Sequence, residues 1–260
     1  VSGFLVSDGS LIAAYNEGFE KYNIEDGNFR LAGKANKALK KMIQSFGVTL
    51  YDNFYVEEEL VNGSTLRIFK NREEVNRVCL MEGALPGNAG EIAIDRMYAD
   101  NNEIRVGDIL ESENQSWTVT GLVALSDYSC LFSNNNDSMF DSVKFGVSVV
   151  TGEEFERFAE EDLNYSYSWK YEKPPLDEAE EKQMSEDLMK QISGEASLEA
   201  FIPCYLNQAI QFTGDDMGSD RAMIAALLYI VIVIMAFVFG ITISNTINKE
   251  ANVIGTLRAS

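Results

Sequence analysis

The sequence predicts an α+β fold followed by a long membrane-crossing helix, and three observations predict it. Residues 222–243, AMIAALLYIVIVIMAFVFGITI, hold no charged side chain, and about 20 apolar residues span a bilayer core of roughly 30 Å. Upstream, runs with helical periodicity are interspersed with short alternating runs of strand type. Charge is also partitioned: the first 220 residues carry 18 basic and 40 acidic side chains, net −22, whereas the last 40 carry three and one, net +2.

The apolar segment reads as membrane-spanning rather than as a buried helix of a soluble domain. Such a helix would keep a polar stripe, yet the neighbours of Tyr229 three and four residues away are all apolar. Its place late in the chain excludes a signal peptide, and the opening VSGFLVSDGS is too short and too polar to cross anything. Lys and Arg favour the cytoplasmic flank of a span. Lys249 and Arg258 follow it and Asp215, Asp216 and Asp220 precede it, with Arg221 as a small counter-signal. The acidic body, residues 1 to about 220, is therefore expected outside the cell and the tail inside.

Composition excludes several functions. The acidic body would repel nucleic-acid phosphates. Without histidine there is no Ser-His-Asp or Cys-His nucleophile system and no His-containing zinc site. Cys79, Cys130 and Cys204 are odd in number and widely spaced, so they make no disulfide framework. The domain must rely on its core, for which about 220 residues are ample.

Taken in order, residues 31–46 place Leu31, Ala35, Ala38, Leu39, Met42, Ile43 and Phe46 on one helical face, with Gly47 as a stop. VTLYDNFYV and STLRIFK read as strands on either side of a polar turn at Asn62 and Gly63, so the first 80 residues form a strand–helix–strand unit. Residues 79–125 hold short β runs, EIAID, DILES and SWTVTGLVAL, punctuated by Gly, Asp and Asn. KFGVSVV is a strand and TGEEFERFAEE a helix opened by a capping box, Thr151 with Glu154. Pro174-Pro175 precedes a helix over residues 177–192, and a strand over 198–205 leads into the last helix. From Gln211 to Ile247 that helix would be about 55 Å long at 1.5 Å per residue, so its first turns form a stalk. Gly214 and Gly218 weaken its continuity.

LMEGALPGNAGEIAID (80–95), VGD (106–108) and TVTGLVALSDY (118–128) together resemble the extracytoplasmic domain of FtsX/MacB-type ABC transporter permeases. IGTLRAS (254–260) resembles the cytoplasmic segment after the second membrane helix of that family, and IEDGNF (24–29) is similar to the start of the extracellular part in large Gram-positive members. Physically, Gly83, Pro86, Gly87 and Gly90 make turns that present Glu91, and Gly107-Asp108 is a tight turn; these shape a β fold rather than a catalytic site.

The resemblance implies a porter-like α/β subdomain with an inserted small β subdomain. The expected divisions are 1–78 and 143–210 for the two porter-like parts, 79–142 for the insert, 211–247 for stalk and transmembrane helix, and 248–260 for a cytoplasmic coupling segment. It further implies that Lys249, Glu250, Val253, Ile254, Gly255, Leu257 and Arg258 dock on a cytoplasmic ABC ATPase. The common pattern has Glu before Ile-Gly where this chain has Val253; Glu250, three residues upstream, shares that helical face. Ala236, Gly240 and Ser244 form a small-residue stripe on which another permease helix or a second permease half could pack. A complete permease of this kind would have a membrane helix before Val1 and at least two more after Ser260.

The function expected is that of a non-catalytic permease segment in the cell membrane of a Gram-positive bacterium. It needs no cofactor or metal and couples a partner's ATP hydrolysis to its extracellular domain. The chain lacks G-x-x-x-x-G-K-[ST], and the resemblance alone implies either export or extraction of peptide, lipoprotein or lipid cargo, or mechanotransmission without cargo. The alternative is a single-span ligand-binding sensor or adhesin, for which Tyr165, Tyr167, Trp169 and Tyr171 would make an exposed aromatic strip if they were not one buried strand face. Catalysis is the weakest reading: Glu160-Glu161, the DEAEE run (177–181) and SNNNDS (133–138) read as solvated faces and a loop.

Overall fold

The computed structural model describes residues 13, 15–113 and 115–258, and it divides into two units. Among the described residues, one holds those up to 214 and contains two β-sheets; the other holds residues 215–258. The mixed, largely antiparallel sheets and separate helices make the fold α+β.

In the first unit a short helix α1 (residues 15–21) leads to β1 (Gly27–Leu31), α2 (Lys37–Gln44) and β2 (Val48–Asp52). β10 (Tyr165–Tyr171), α5 (Glu178–Glu195) and β11 (Leu198–Pro203) complete a four-stranded sheet of order β11-β1-β10-β2. β1 and β2 both pair antiparallel with β10. The strand–helix–strand unit is thus present, but its strands enclose a third that comes more than 100 residues later. One sheet face holds Phe29, Tyr167 and Trp169, buried with Ile43, Leu188 and Ile192 in a core shared with α2 and α5. Tyr167 and Trp169 are fully buried, so the aromatic alternation in β10 is a core face and not an exposed binding strip. The opposite face carries Asn28, Arg30, Ser166 and Ser168, the last two registered against the first two.

The second sheet has seven strands: β3 (Tyr55–Glu59), β4 (Thr65–Lys70), β5 (Val78–Gly83), β6 (Glu91–Asp95), β7 (Ile109–Glu111), β8 (Ser116–Leu125) and β9 (Phe145–Val150). Its path is β3-β4-β9-β6-β8-β5, with β7 also on β8. β4 pairs parallel with β9 across some 80 residues, and β9 is buried along its whole length, as a central strand requires. The sheet holding residues 79–142 therefore extends beyond that stretch on both sides, taking β3 and β4 before it and β9 after it.

Several local expectations are corrected. The helix expected over 31–46 covers only Lys37–Gln44, because the Asn36 side chain caps it by accepting from the Leu39 N–H; Leu31 ends β1 instead. VTLYDNFYV is not one strand. It breaks at Asn53 and Phe54, where Asn53 N–H bonds to Ser166 C=O and the chain crosses from one sheet to the other. The helix expected after Thr151 is a single turn, α4 (Gly152–Phe155). Thr151 caps it through the Glu154 N–H, but Glu154 does not reach back: its buried carboxylate accepts from Trp117 Nε1–H at 2.8 Å and Gly90 N–H at 2.9 Å. On α5 the Asp177 side chain caps the Glu180 N–H, and the Glu180 carboxylate reaches back to the Leu176 N–H, one residue before the cap.

The last element, α6, is one helix over Gln208–Arg258, so it begins three residues earlier than expected and Gly214 does not interrupt it. Its apolar part is Ala222–Ile247, 26 residues within which an 18-residue stretch reaches a mean hydropathy of 3.0, long and apolar enough to cross a membrane. Within it the Thr242 and Thr246 hydroxyls donate to the carbonyls four residues back at 2.8 and 2.9 Å, which satisfies them without water.

Candidate functional site

The candidate site is the root of α6, residues 208–214, where the helix is fastened into the two-sheet unit. Its N-terminal groups are capped by Asn207, whose Oδ1 accepts from the Ala209 N–H at 3.1 Å. Asn135 adds a second clamp. Its Oδ1 accepts from the Gln208 N–H at 2.8 Å and its Nδ2 donates to the Leu206 carbonyl at 2.9 Å. The bonds to the Gln208 and Ala209 N–H groups satisfy donors that a helix start otherwise leaves open.

Asn135 belongs to the loop that joins β8 to β9, residues 126–144, and this loop wraps the root. The Ser129 hydroxyl donates to the carbonyls of Ala209 at 2.8 Å and Ile210 at 3.1 Å, and Cys130 N–H donates to Ala209 at 3.2 Å. Phe132, Phe140 and Phe212 pack edge-to-face in a triangle with ring centroids 5.5–5.7 Å apart. Buried Cys130, Phe132 and Ala209 form the apolar centre beneath them. Asp137 accepts from the Ser133 hydroxyl and the Asn134 N–H, which holds the asparagine run in a fixed turn; SNNNDS is thus a structured loop whose middle asparagine does the clamping.

A second fastening comes from α1. The Tyr15 hydroxyl donates to the Ile210 carbonyl at 3.0 Å, and Ile24, Cys204 and Ile210 bury against Phe19 and Tyr22. Gly214 lies where a β-carbon would meet the Tyr15 ring at 2.8–3.0 Å. The glycine read as a weak point is the position at which α1 passes closely over α6.

The loop is held from the other side by the seven-stranded sheet. Arg67 of β4 donates to the Ser133 carbonyl at 2.8 Å, to the Tyr128 hydroxyl at 2.7 Å and to Glu57, and its guanidinium covers the Tyr55 ring. Where the two sheets meet, Arg72 makes two bonds to Asp127 at 2.6 and 2.7 Å, and the Asn76 amide bridges Asp127 and Glu25. Burial pushes the Glu25 carboxyl above its ordinary range, and the nearby Asp127 charge adds to this; bonds from Ser168, Asn28 and Asn76 oppose it. A contiguous polar and aromatic network thus runs from the floor between the sheets to the first turns of α6.

The residues singled out from sequence fall elsewhere. Ala236, Gly240 and Ser244 lie four apart on α6 and are exposed, with open space where a Gly240 β-carbon would stand. Glu250 is exposed; the side chains of Lys249, Val253, Ile254, Gly255, Leu257 and Arg258 lie outside the described residues, although the helical backbone reaches Arg258. Glu91 closes its own turn by accepting from Gly87 and Asn88 N–H groups, a shaping role. The clamp residues were missed because their partners lie 70–83 residues away in the chain; only Asn207, a capping residue next to an amphipathic start, carried a local signal.

No family model and no curated protein matches the chain. Among solved structures it is similar to the periplasmic region of MacB from Actinobacillus actinomycetemcomitans, at 14% identity and TM-score 0.40, covering 73% of this chain and 92% of that one. It is also similar to the extracellular domain of the noncanonic ABC-type transporter YknZ from Gram-positive bacteria, at 8% identity and TM-score 0.37, covering 67% of this chain and 98% of that one.

Proposed function

We propose that the chain is a permease segment of an FtsX/MacB-type ABC transporter, in which a cytoplasmic ATPase drives conformational change of an extracellular domain through α6. The observation that carries this reading is the way the α6 root is built. A helix that only anchored a domain would need a tether, whereas this one is fixed at its first turns by Asn135, Ser129, Tyr15 and the Phe132–Phe140–Phe212 triangle. Motion of the helix would therefore be transmitted to both sheets. The uncharged Ala222–Ile247 segment and the acidic body with its basic tail support a membrane crossing with the body outside the cell.

Under this reading Lys249, Glu250, Val253, Ile254, Gly255, Leu257 and Arg258 dock on the ATPase, with Glu250 supplying the charge at the place of Val253. Ala236, Gly240 and Ser244 pack on a further permease helix. The output is export or extraction of a peptide, lipoprotein or lipid, or force transmission without cargo. The test is affinity purification of the full-length membrane protein in mild detergent. An ATPase that co-purifies with the wild type and is lost from the Gly255→Asp/Arg258→Asp variant supports the reading; persistent absence of any ATPase refutes it.

A further inference from the structure

We propose that the cleft between the two sheets is a binding site for an oxyanion, the carboxylate or phosphate group of a small ligand. The cleft has a volume of about 420 Å³ and is lined by β1, β10 and β11 on one side and by β3, β4 and residues 127–136 on the other. This lies within the size range of small-molecule sites. What distinguishes it is a surplus of hydrogen-bond donors over acceptors.

Five donors remain open. Arg30 uses Nε on Glu199 and Nη1 on the Tyr55 oxygen, and its Nη2 has no acceptor among the described residues. Tyr55 and Tyr128 each accept from an arginine, Arg30 and Arg67 respectively, so each phenol proton is left to donate. Burial pushes the Tyr128 phenol up to about 12, which keeps that proton in place. Ser166 and Asn207 line the cleft and are each only 8% exposed. The Ser166 hydroxyl and the Asn207 Nδ2 bond to nothing among the described residues. Ser166 stands directly across from Arg30 in the β1–β10 register, so these two donors converge.

The acidic groups of the cleft do not cancel this surplus. Asp127 is occupied by both Arg72 nitrogens, and Glu25 accepts from Ser168, Asn28 and Asn76. Glu199 holds Arg30 through one bond between half-exposed side chains, a pairing that contributes little and yields to a better acceptor. An oxyanion supplies several acceptor lone pairs to a fork of N–H and O–H groups, which is the complement of this wall.

The occupant would touch the output of the domain. Asn134, Asn135 and Asn136 line the same cleft, and Asn135 is the residue that clamps the start of α6. This regulatory consequence rests on the proposed coupling role; the binding itself does not.

The experiment is titration of the full-length protein in detergent with inorganic phosphate and, separately, with acetate. Calorimetry and thermal shift are read against chloride at matched ionic strength. Saturable binding of phosphate alone, of acetate alone or of both supports the site and identifies the source of the oxyanion. Arg30→Gln weakens binding about tenfold or more, and Ser166→Ala, which removes a hydroxyl with no protein partner, weakens it about fivefold with the fold intact. Absence of binding beyond chloride, or binding equally tight in Ser166→Ala, overturns the proposal, and either result leaves ATPase co-purification untouched.

Discussion

Replacing Phe212 by Ala tests whether α6 is gripped or merely attached. Phe212 is 40% exposed and sits against Phe132 and Phe140 at 5.5 and 5.7 Å. With about 60% of a phenylalanine surface covered, roughly 120 Å² leaves contact, equivalent to about 3 kcal/mol at 25 cal/mol per Å². Loss of two edge-to-face pairs adds about 1–3 kcal/mol, and the methyl group that alanine keeps offsets a part. A local loss of about 3 kcal/mol corresponds to roughly a hundredfold more frequent opening of the root. Hydrogen exchange on the full-length protein in detergent reads this directly. The Cys130 amide, which donates to Ala209, and the amides of 209–212 lose protection, whereas β9 at the centre of the seven-stranded sheet keeps its own. Unchanged protection around Cys130 in the variant would refute the reasoning, because the aromatic triangle would then not be holding the loop to the helix.

Further outcomes follow from the same structure. Arg72→Met leaves Asp127 as an unpaired buried charge beside Glu25 and lowers stability by about 3–5 kcal/mol; Arg72→Met/Asp127→Leu recovers most of it in a double-mutant cycle read by denaturant unfolding. Gly27→Ala drives a β-carbon into the Trp169 ring and the Ile202 carbonyl, and the melting temperature falls as for an overpacked core, about 1–3 kcal/mol. Gly240→Ala meets open space and leaves unfolding of the two-sheet unit unchanged. Burial raises the Asp95 carboxyl to about 6, against opposing bonds from the Tyr98 and Met97 N–H groups. The folded state therefore holds a proton that the unfolded chain releases near 3.8, so stability falls as pH rises from about 4 to 6 and then levels, by at most about 3 kcal/mol. Asp95→Asn flattens this slope in melting curves taken across that window.

What the sequence made legible was what depends on near neighbours. An uncharged stretch long enough to cross a bilayer is a local property, and so is the alternation of Tyr167 and Trp169 with Ser166 and Ser168, which marks one face for the core. The cap at Thr151 was readable because it bonds within three residues. Where distant groups competed, the reading failed. Glu154 serves Trp117 rather than the first turn of its own helix, and Asn53 bonds to Ser166 and breaks what looked like one strand. The candidate site was nearly invisible for the same reason: its clamp joins an ordinary asparagine loop to a helix start some 70 residues later, and no spacing rule couples the two.

The four-stranded sheet also sets a timetable. β1 must wait for β10, and β11 pairs along β1's other edge about 170 residues after it was made, with Pro203 ending β11 and Gln208 opening α6. On a chain synthesised from its N-terminus, the sheet closes only when the apolar helix is about to emerge or is already emerging. Pairings of such long range are slow to form. The domain thus completes its folding only as its own apolar helix emerges, so β1's edges stand open until β10 and then β11 have been made, an interval in which unpaired strands are prone to associate with the wrong partner.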